Sequence, residues 1–212
     1  MSFKRVGYGQ VEPNQLSAQK TGQIYASLPL DTDVNILQNG EFMYYDYQSG
    51  KVSATDSTGV SEPMLVFNEI KLYEPFWRTT YKDFAMIRNG ENYVTSKLAT
   101  QRYDGGAPTA ASTAVQEHTE YPYRMDGFAP RLLKTNIGDI YTTNMVKTGV
   151  EYKAKDLLTP AVVTAEDGGK TLVLGLVATG ENATNISTMR FVVAKVYTMP
   201  DGQPGLKLQR IA

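Results

Sequence analysis

The chain has 212 residues, with 21 Lys plus Arg against 22 Asp plus Glu, a formal net charge of -1, and no cysteine. The missing thiols exclude disulfides, zinc-thiolate sites, iron–sulfur clusters and cysteine nucleophiles. The balanced charge argues against a generic nucleic-acid binder, which carries a basic excess, and a content of 42% hydrophobic and 20% charged residues is enough to bury the core of one or two domains.

Residues 1–30 form the first unit and fit no regular element. Lys4 and Arg5 are not followed by an apolar h-region, so no secretory signal of the usual form is read, and the longest nearly apolar run, Leu172 to Ala178, is too short to cross a bilayer. The apolar residues Phe3, Val6, Tyr8, Val11, Leu16, Ile24, Tyr25, Leu28 and Leu30 follow no helical or strand period, and Gly7, Gly9, Pro13, Gly22 and Pro29 interrupt them. A disordered tail would be poorer in such side chains. Two readings are open: the segment pads its own barrel, or it is an extended arm laid into grooves of a neighbouring subunit. Ordering an arm costs about 1–2 kcal/mol per residue, and burying a Leu, Ile or Phe returns about 1.5–3 kcal/mol, so an arm becomes fixed only where many contacts form together.

Strand signals dominate the rest of the chain. In the first β module, 31–99, the aromatic run Glu41 to Tyr47 predicts a strand, the Gln48-Ser49-Gly50 turn comes next, and Lys51 to Ala54 returns as its partner. Met64 to Tyr73 and Asp83 to Ile87 predict further strands. Residues 100–127, with Asp104-Gly105-Gly106-Ala107-Pro108 and a run of Thr, Ala and Ser, are expected to be an exposed loop or linker. In the second module, 128–212, short strands are expected at Arg131–Lys134, Asp139–Thr143, Glu151–Lys153 and Ala161–Val163 and on to Thr164. The strongest are Thr171–Ala178 and Met189–Tyr197, followed by the alternating Leu206–Ile211. Lys97–Arg102 and Lys155–Leu158 are read as single helical turns at most. The fold class is all-β, one or two small β-barrel or β-sandwich modules with an extended N-terminal arm.

Candidate chemistry is sparse. His118 is the only histidine and stands among Glu117, Thr119 and Glu120 with no Gly-x-Ser-x-Gly elbow to serve, so a solvated loop position is expected. Asp31-Thr32-Asp33-Val34-Asn35 begins like a calcium loop, but Ile36 and Phe42 occupy the places of the glycine and the closing glutamate. Gly7-Tyr8-Gly9 lacks the rest of a dinucleotide fingerprint. Acid pairs such as Glu69/Glu74 and Glu117/Glu120 are of a kind that any chain with 22 acids offers. The chain also holds 14 Tyr, 7 Phe and one Trp. Tyr44, Tyr45, Tyr47 and Trp77 fit core or subunit-interface packing, or an exposed platform for sugars. No enzyme activity, cofactor or metal is expected.

The stretches Gln10–Asn14, Gln19–Ala26 and Leu28–Asp31, followed by Asn39–Tyr47, Leu65–Tyr73 and Asn136–Asn144, resemble auxiliary capsid proteins of tailed bacteriophages, also called cement, decoration or head-stabilising proteins. The resemblance covers about half the chain in scattered pieces. It implies a β-rich, non-enzymatic virion protein, assembled in the host cytoplasm, that binds the major capsid protein lattice and forms a homo-oligomer on the capsid surface, without nucleic acid or membrane partners. It favours the arm reading, in which Phe3, Tyr8, Val11, Leu16, Ile24, Tyr25 and Leu28 are the partner-binding residues. The rival expectation is a carbohydrate- or receptor-binding β module on a virion or cell surface.

Overall fold

A computed structural model describes residues 3–5, 9–34, 36–57, 59, 61–68, 71–72, 82–83, 86–88, 129–164, 168–179, 186–199 and 202–212. The expected linker over 100–127, the turn at Lys97–Arg102, and Tyr8, Trp77, His118 and the acid pairs lie outside the described residues.

The protein is all-β. Strand β1 (Val11–Gln15) is followed by a one-turn helix, α1 (Ser17–Thr21), and β2 (Ile24–Tyr25). Then come β3 (Ile36–Gln38), β4 (Phe42–Asp46), β5 (Lys51–Ser53), β6 (Met64–Val66), β7 (Lys71–Leu72), β8 (Lys82–Asp83) and β9 (Met86–Arg88). The remaining strands are β10 (Leu132–Leu133), β11 (Ile140–Thr143), β12 (Leu157–Thr164), β13 (Lys170–Leu176), β14 (Phe191–Thr198) and β15 (Pro204–Arg210). Among the described residues, 11 strands make one curled, antiparallel half-barrel sheet in the order β1-β11-β15-β14-β12-β13-β4-β6-β10-β2, with β5 paired to β4. Two small sheets pair β3 with β9 and β7 with β8.

The expected boundaries are not boundaries of the sheet. Phe42 in β4 is registered on Leu172 in β13, and Leu65 and Val66 in β6 on Leu133 and Leu132 in β10. Strands from 31–99 and from 128–212 therefore share one sheet, and strands from 1–30 stand at both of its ends.

Two local expectations fail for physical reasons. Lys155–Leu158 is no helical turn, and Glu151–Lys153 is no strand: Lys153 to Asp156 form a tight turn, and Leu157 opens an eight-residue strand that runs straight through Pro160. The Val177 N–H donates to the Leu157 carbonyl at 2.9 Å. By the alternation of an antiparallel ladder, Leu157, Thr159, Ala161 and Val163 then bond β13, while Leu158, Pro160 and Val162 face away. The N–H that proline lacks is one the β13 ladder does not use, so it interrupts nothing.

Strand alternation also builds two cores. Every residue of β4 is buried, and its side chains divide by parity: Phe42 and Tyr44 join Tyr141, Leu172, Phe191 and Leu208 inside the half-barrel, while Met43 and Tyr45 join Leu30, Val34, Leu37 and Val52 on the other face. Leu65 and Leu133 go to the first cluster, Val66 and Leu132 to the second. A strand buried on both faces shows no polar alternation, which is why these stretches read as continuous apolar runs.

Candidate functional site

Of the residues expected to grip a neighbour, Val11, Ile24 and Tyr25 lie on the two end strands of the sheet, and Leu16 is the N-cap of the one-turn helix between them. Strand β1 is the first in the sheet order and β2 the last, yet β1, α1 and β2 are consecutive in the chain. One continuous segment thus runs from one end of the curled sheet to the other. Val11 and Glu12 register on Thr143 and Thr142 of β11, and Ile24 and Tyr25 on Leu133 and Leu132 of β10. Between them Leu16 and Ala18 are buried in the same cluster as Phe42, Tyr141 and Phe191. Phe3 is also buried. Its N–H donates to the Val150 carbonyl at 2.6 Å, its carbonyl accepts from Gly149 at 2.9 Å, and its ring meets Tyr152 edge-on at 5.8 Å. Val11, Ile24, Tyr25 and Leu28 are half-buried against the two cores.

Of the two readings left open by the sequence, the structure has the first: the segment is sheltered by its own sheet. Phe3 and Leu16, expected as partner-binding residues, are buried in this core. The physical reason is that a curled sheet has two end strands with unpaired edges, and a strap joining them both completes the ladders and covers the core.

Polar contacts lock the strap. Asp139 accepts from the Ser17 N–H, the Ser17 hydroxyl and the Asn136 N–H at 3.0, 3.1 and 2.8 Å. The Asn136 amide donates onward to Ser17 Oγ at 2.8 Å and to Gln23 Oε1 at 2.9 Å. Gln10 N–H donates to Asn144 Oδ1 at 2.7 Å, the Thr142 hydroxyl to Asn14 Oδ1 at 2.7 Å, and the Tyr197 hydroxyl to the Glu12 carboxylate.

The tyrosine group divides. Tyr44 and Tyr45 are core residues, whereas Tyr47 at the β4–β5 turn is 72% exposed. Tyr45 lies 5.2 Å from Tyr25 and 5.1 Å from Tyr47, ring centre to ring centre, and its hydroxyl meets Ser27, whose N–H donates to it at 3.1 Å. The exposed ring is thus braced edge-on against a fixed one. Tyr44 and Tyr45 thus follow the core-packing expectation, and of the three Tyr47 alone is exposed.

The described buried carboxylates are occupied. Glu41 accepts from the Gln38 N–H at 3.1 Å, and Asp46 from the Gln48 N–H at 2.8 Å and from the Ser57 hydroxyl. The Ser57 hydroxyl, ahead of the backbone donors, holds the Asp46 carboxyl below its ordinary range. Asp31, the first residue of the failed calcium pattern, binds Lys51 at 3.0 Å; burial pushes its carboxyl up, but the Lys51 ammonium and the Thr32 donors together leave it lowered. Among the described residues no group of His, Asp and Glu could hold a metal ion.

The surface instead carries apolar side chains on consecutive strands. Leu157 and Val162 of β12, Leu176 of β13 and Val196 of β14 are all exposed. Alternating sequence did not single them out, because the same alternation predicts an inward face. Comparison with protein-family models, curated proteins and solved structures finds no match to this chain.

Proposed function

We propose that this chain is a non-catalytic structural protein that binds an assembled protein lattice, an auxiliary capsid protein of the tailed-bacteriophage kind. The observation that carries this reading is the exposed apolar set on β12, β13 and β14, on a body whose strap already closes its own core. The occupied buried carboxylates support a structural role for the described acids. Contact is then made by these exposed strand side chains and not by the N-terminal segment. Each such side chain contributes at most about 1.5–3 kcal/mol on burial. Many copies on a repeating lattice turn modest single contacts into tight attachment, and binding the lattice in preference to free subunits stabilises the shell by mass action.

The test is co-sedimentation of the purified chain with capsid shells of the phage that encodes it, alongside free major capsid subunits. Pelleting with shells, reduced by the double substitution L157D/L176D, is expected. A chain that stays in the supernatant, or that is missing from purified virions by mass spectrometry, contradicts the proposal.

The braced, exposed Tyr47 favours a second reading, a carbohydrate-binding module. A glycan array that lights up with the wild type and goes dark with Y47A would select it.

A further inference from the structure

The edge of β14 is left open where a turn ends its pairing with the neighbouring strand. Strand β12 is registered on β14 only at Leu157↔Val192 and Leu158↔Phe191. The ladder is prolonged by Val193 N–H to the Asp156 carbonyl at 2.9 Å and by Lys155 N–H to the Val193 carbonyl at 2.8 Å. There the chain turns away: Lys153 and Asp156 close a tight turn, Asp156 Oδ2 accepts from the Lys153 N–H at 2.7 Å, and Lys155 sits at φ 77. Among the described residues it is the one non-glycine in the left-handed region, a conformation a lysine adopts at some cost.

Beyond that point, among the described residues, β14 is held from one side only. Met199 N–H donates to the Gln203 carbonyl at 2.7 Å, and the register continues Tyr197↔Gly205 and Lys195↔Lys207, with a bulge at Ala194. By antiparallel alternation Tyr197 and Lys195 bond β15, while the N–H and C=O groups of Val196 and Thr198 point outward. Ala194, Lys195, Val196 and Thr198 are exposed, and no other hydrogen bond of theirs is present among the described residues.

Four lysines stand around this edge. Lys195 stands directly opposite Lys207, an unfavourable like-charge pair, and Lys153 and Lys155 flank it from the turn. Among the described residues none of the four forms an ion pair. Of the described carboxylates beside it, Asp156 caps the turn and Glu12 takes the Tyr197 hydroxyl. Two copies of this edge brought together would oppose the same lysines, so self-pairing is disfavoured.

We infer that the Ala194–Thr198 edge of β14 is a docking site for an extended, acidic peptide segment, which adds to the sheet as an antiparallel strand. The Val196 and Thr198 main chain supplies the ladder, exposed Val196 offers an apolar contact, and Lys153, Lys155, Lys195 and Lys207 select for Glu or Asp on the incoming strand. The inference stands apart from the virion reading: it is measured on the isolated chain, so either can fail alone.

The probe is a synthetic peptide of alternating valine and glutamate, blocked at both ends and fluorescently labelled, with its valine–lysine counterpart as control. Fluorescence anisotropy is expected to show saturable, salt-sensitive binding of the glutamate peptide and none of the lysine one. Substituting V196P removes an outward N–H without touching the β15 ladder and is expected to abolish binding. The double reversal K153E/K195E is expected to weaken it about tenfold. In amide-resolved NMR, the Val196 and Thr198 N–H groups should gain exchange protection on binding. Failure of the glutamate peptide to bind, equal binding of the two peptides, or binding indifferent to both V196P and the charge reversal overturns the inference.

Discussion

Asp139 holds Ser17 through both carboxylate oxygens, at 3.0 Å to the backbone N–H and 3.1 Å to the hydroxyl, across 122 residues of sequence. The helix that Ser17 begins has Leu16 at its N-cap, with no side-chain acceptor of its own. Asp139 supplies the missing acceptor from β11's entry loop, so one carboxylate caps the helix and fastens the strap. Hydrogen bonds to a charged group contribute about 1.5–3 kcal/mol, and Asp139 is buried, so D139A is expected to cost about 3 kcal/mol. D139N, which keeps one acceptor, should cost about half as much. Urea unfolding of the two variants checks both values.

Gly40 and Gly138 have nearly the same backbone, φ 94 and φ 96, in different surroundings. A Cβ at Gly40 would sit 2.5 Å from Thr143 Oγ1 and 2.6 Å from Met145 Cβ, whereas nothing lies within 4 Å of one at Gly138. G138A is expected to cost about 1–2 kcal/mol from conformation alone. G40A adds overpacking and should cost at least about 3 kcal/mol. Equal losses in thermal unfolding would contradict the close approach of the Gly40 turn to β11.

Tyr141 is fully buried, its ring edge-on to Phe191 at 5.9 Å, and its hydroxyl has no hydrogen-bond partner among the described residues. Removing an unsatisfied buried hydroxyl at constant shape should help, so Y141F is expected to raise stability by about 1 kcal/mol. Burial pushes the Tyr141 phenol well above its ordinary value, and that of Tyr152 is raised by burial and then by Asp156. A raised folded-state value means stability that is intact below the unfolded value of 10.0 and is lost as the pH climbs past it. Alkaline unfolding should therefore begin above about pH 10, with a shallower slope in Y141F.

At the acid end the sign reverses. Asp31 and Asp46 have carboxyls lowered in the folded state, so their contribution is present above the unfolded value of 3.8 and is lost as the pH falls through the lowered one. K51M should flatten the Asp31 share of that acid slope in a series of urea titrations, with little change near neutrality, because the pair is partly exposed.

Much of the sheet was legible in the amino-acid pattern, and particular residues show why the rest was not. Leu206 to Ile211 alternates cleanly because one face of β15 meets the core, and Phe191 to Tyr197 is rich in β-branched residues. Strand β12 was cut short because Pro160 looks like a terminator until the ladder shows that its missing N–H is never called on. Strands β1 and β2 and helix α1 were hidden because two to five residues are too few to show a period. Their partners lie more than a hundred residues away. Composition did carry the essential hint, that residues 1–30 are too apolar to be left in water. Which polypeptide shelters them is a long-range fact that no local pattern encodes. The open edge of β14 was equally hidden, since an unpaired strand and a paired one alternate alike.

The central claim is that the N-terminal segment closes the protein's own half-barrel. The measurement that tests it most directly is urea unfolding of a chain beginning at Ala26, which lacks β1, α1 and β2. The account predicts loss of the cooperative transition, because Phe3, Leu16 and Ala18 leave the core and β11 and β10 each lose a partner strand. A shortened chain that unfolds cooperatively at the same midpoint as the full-length protein would contradict it.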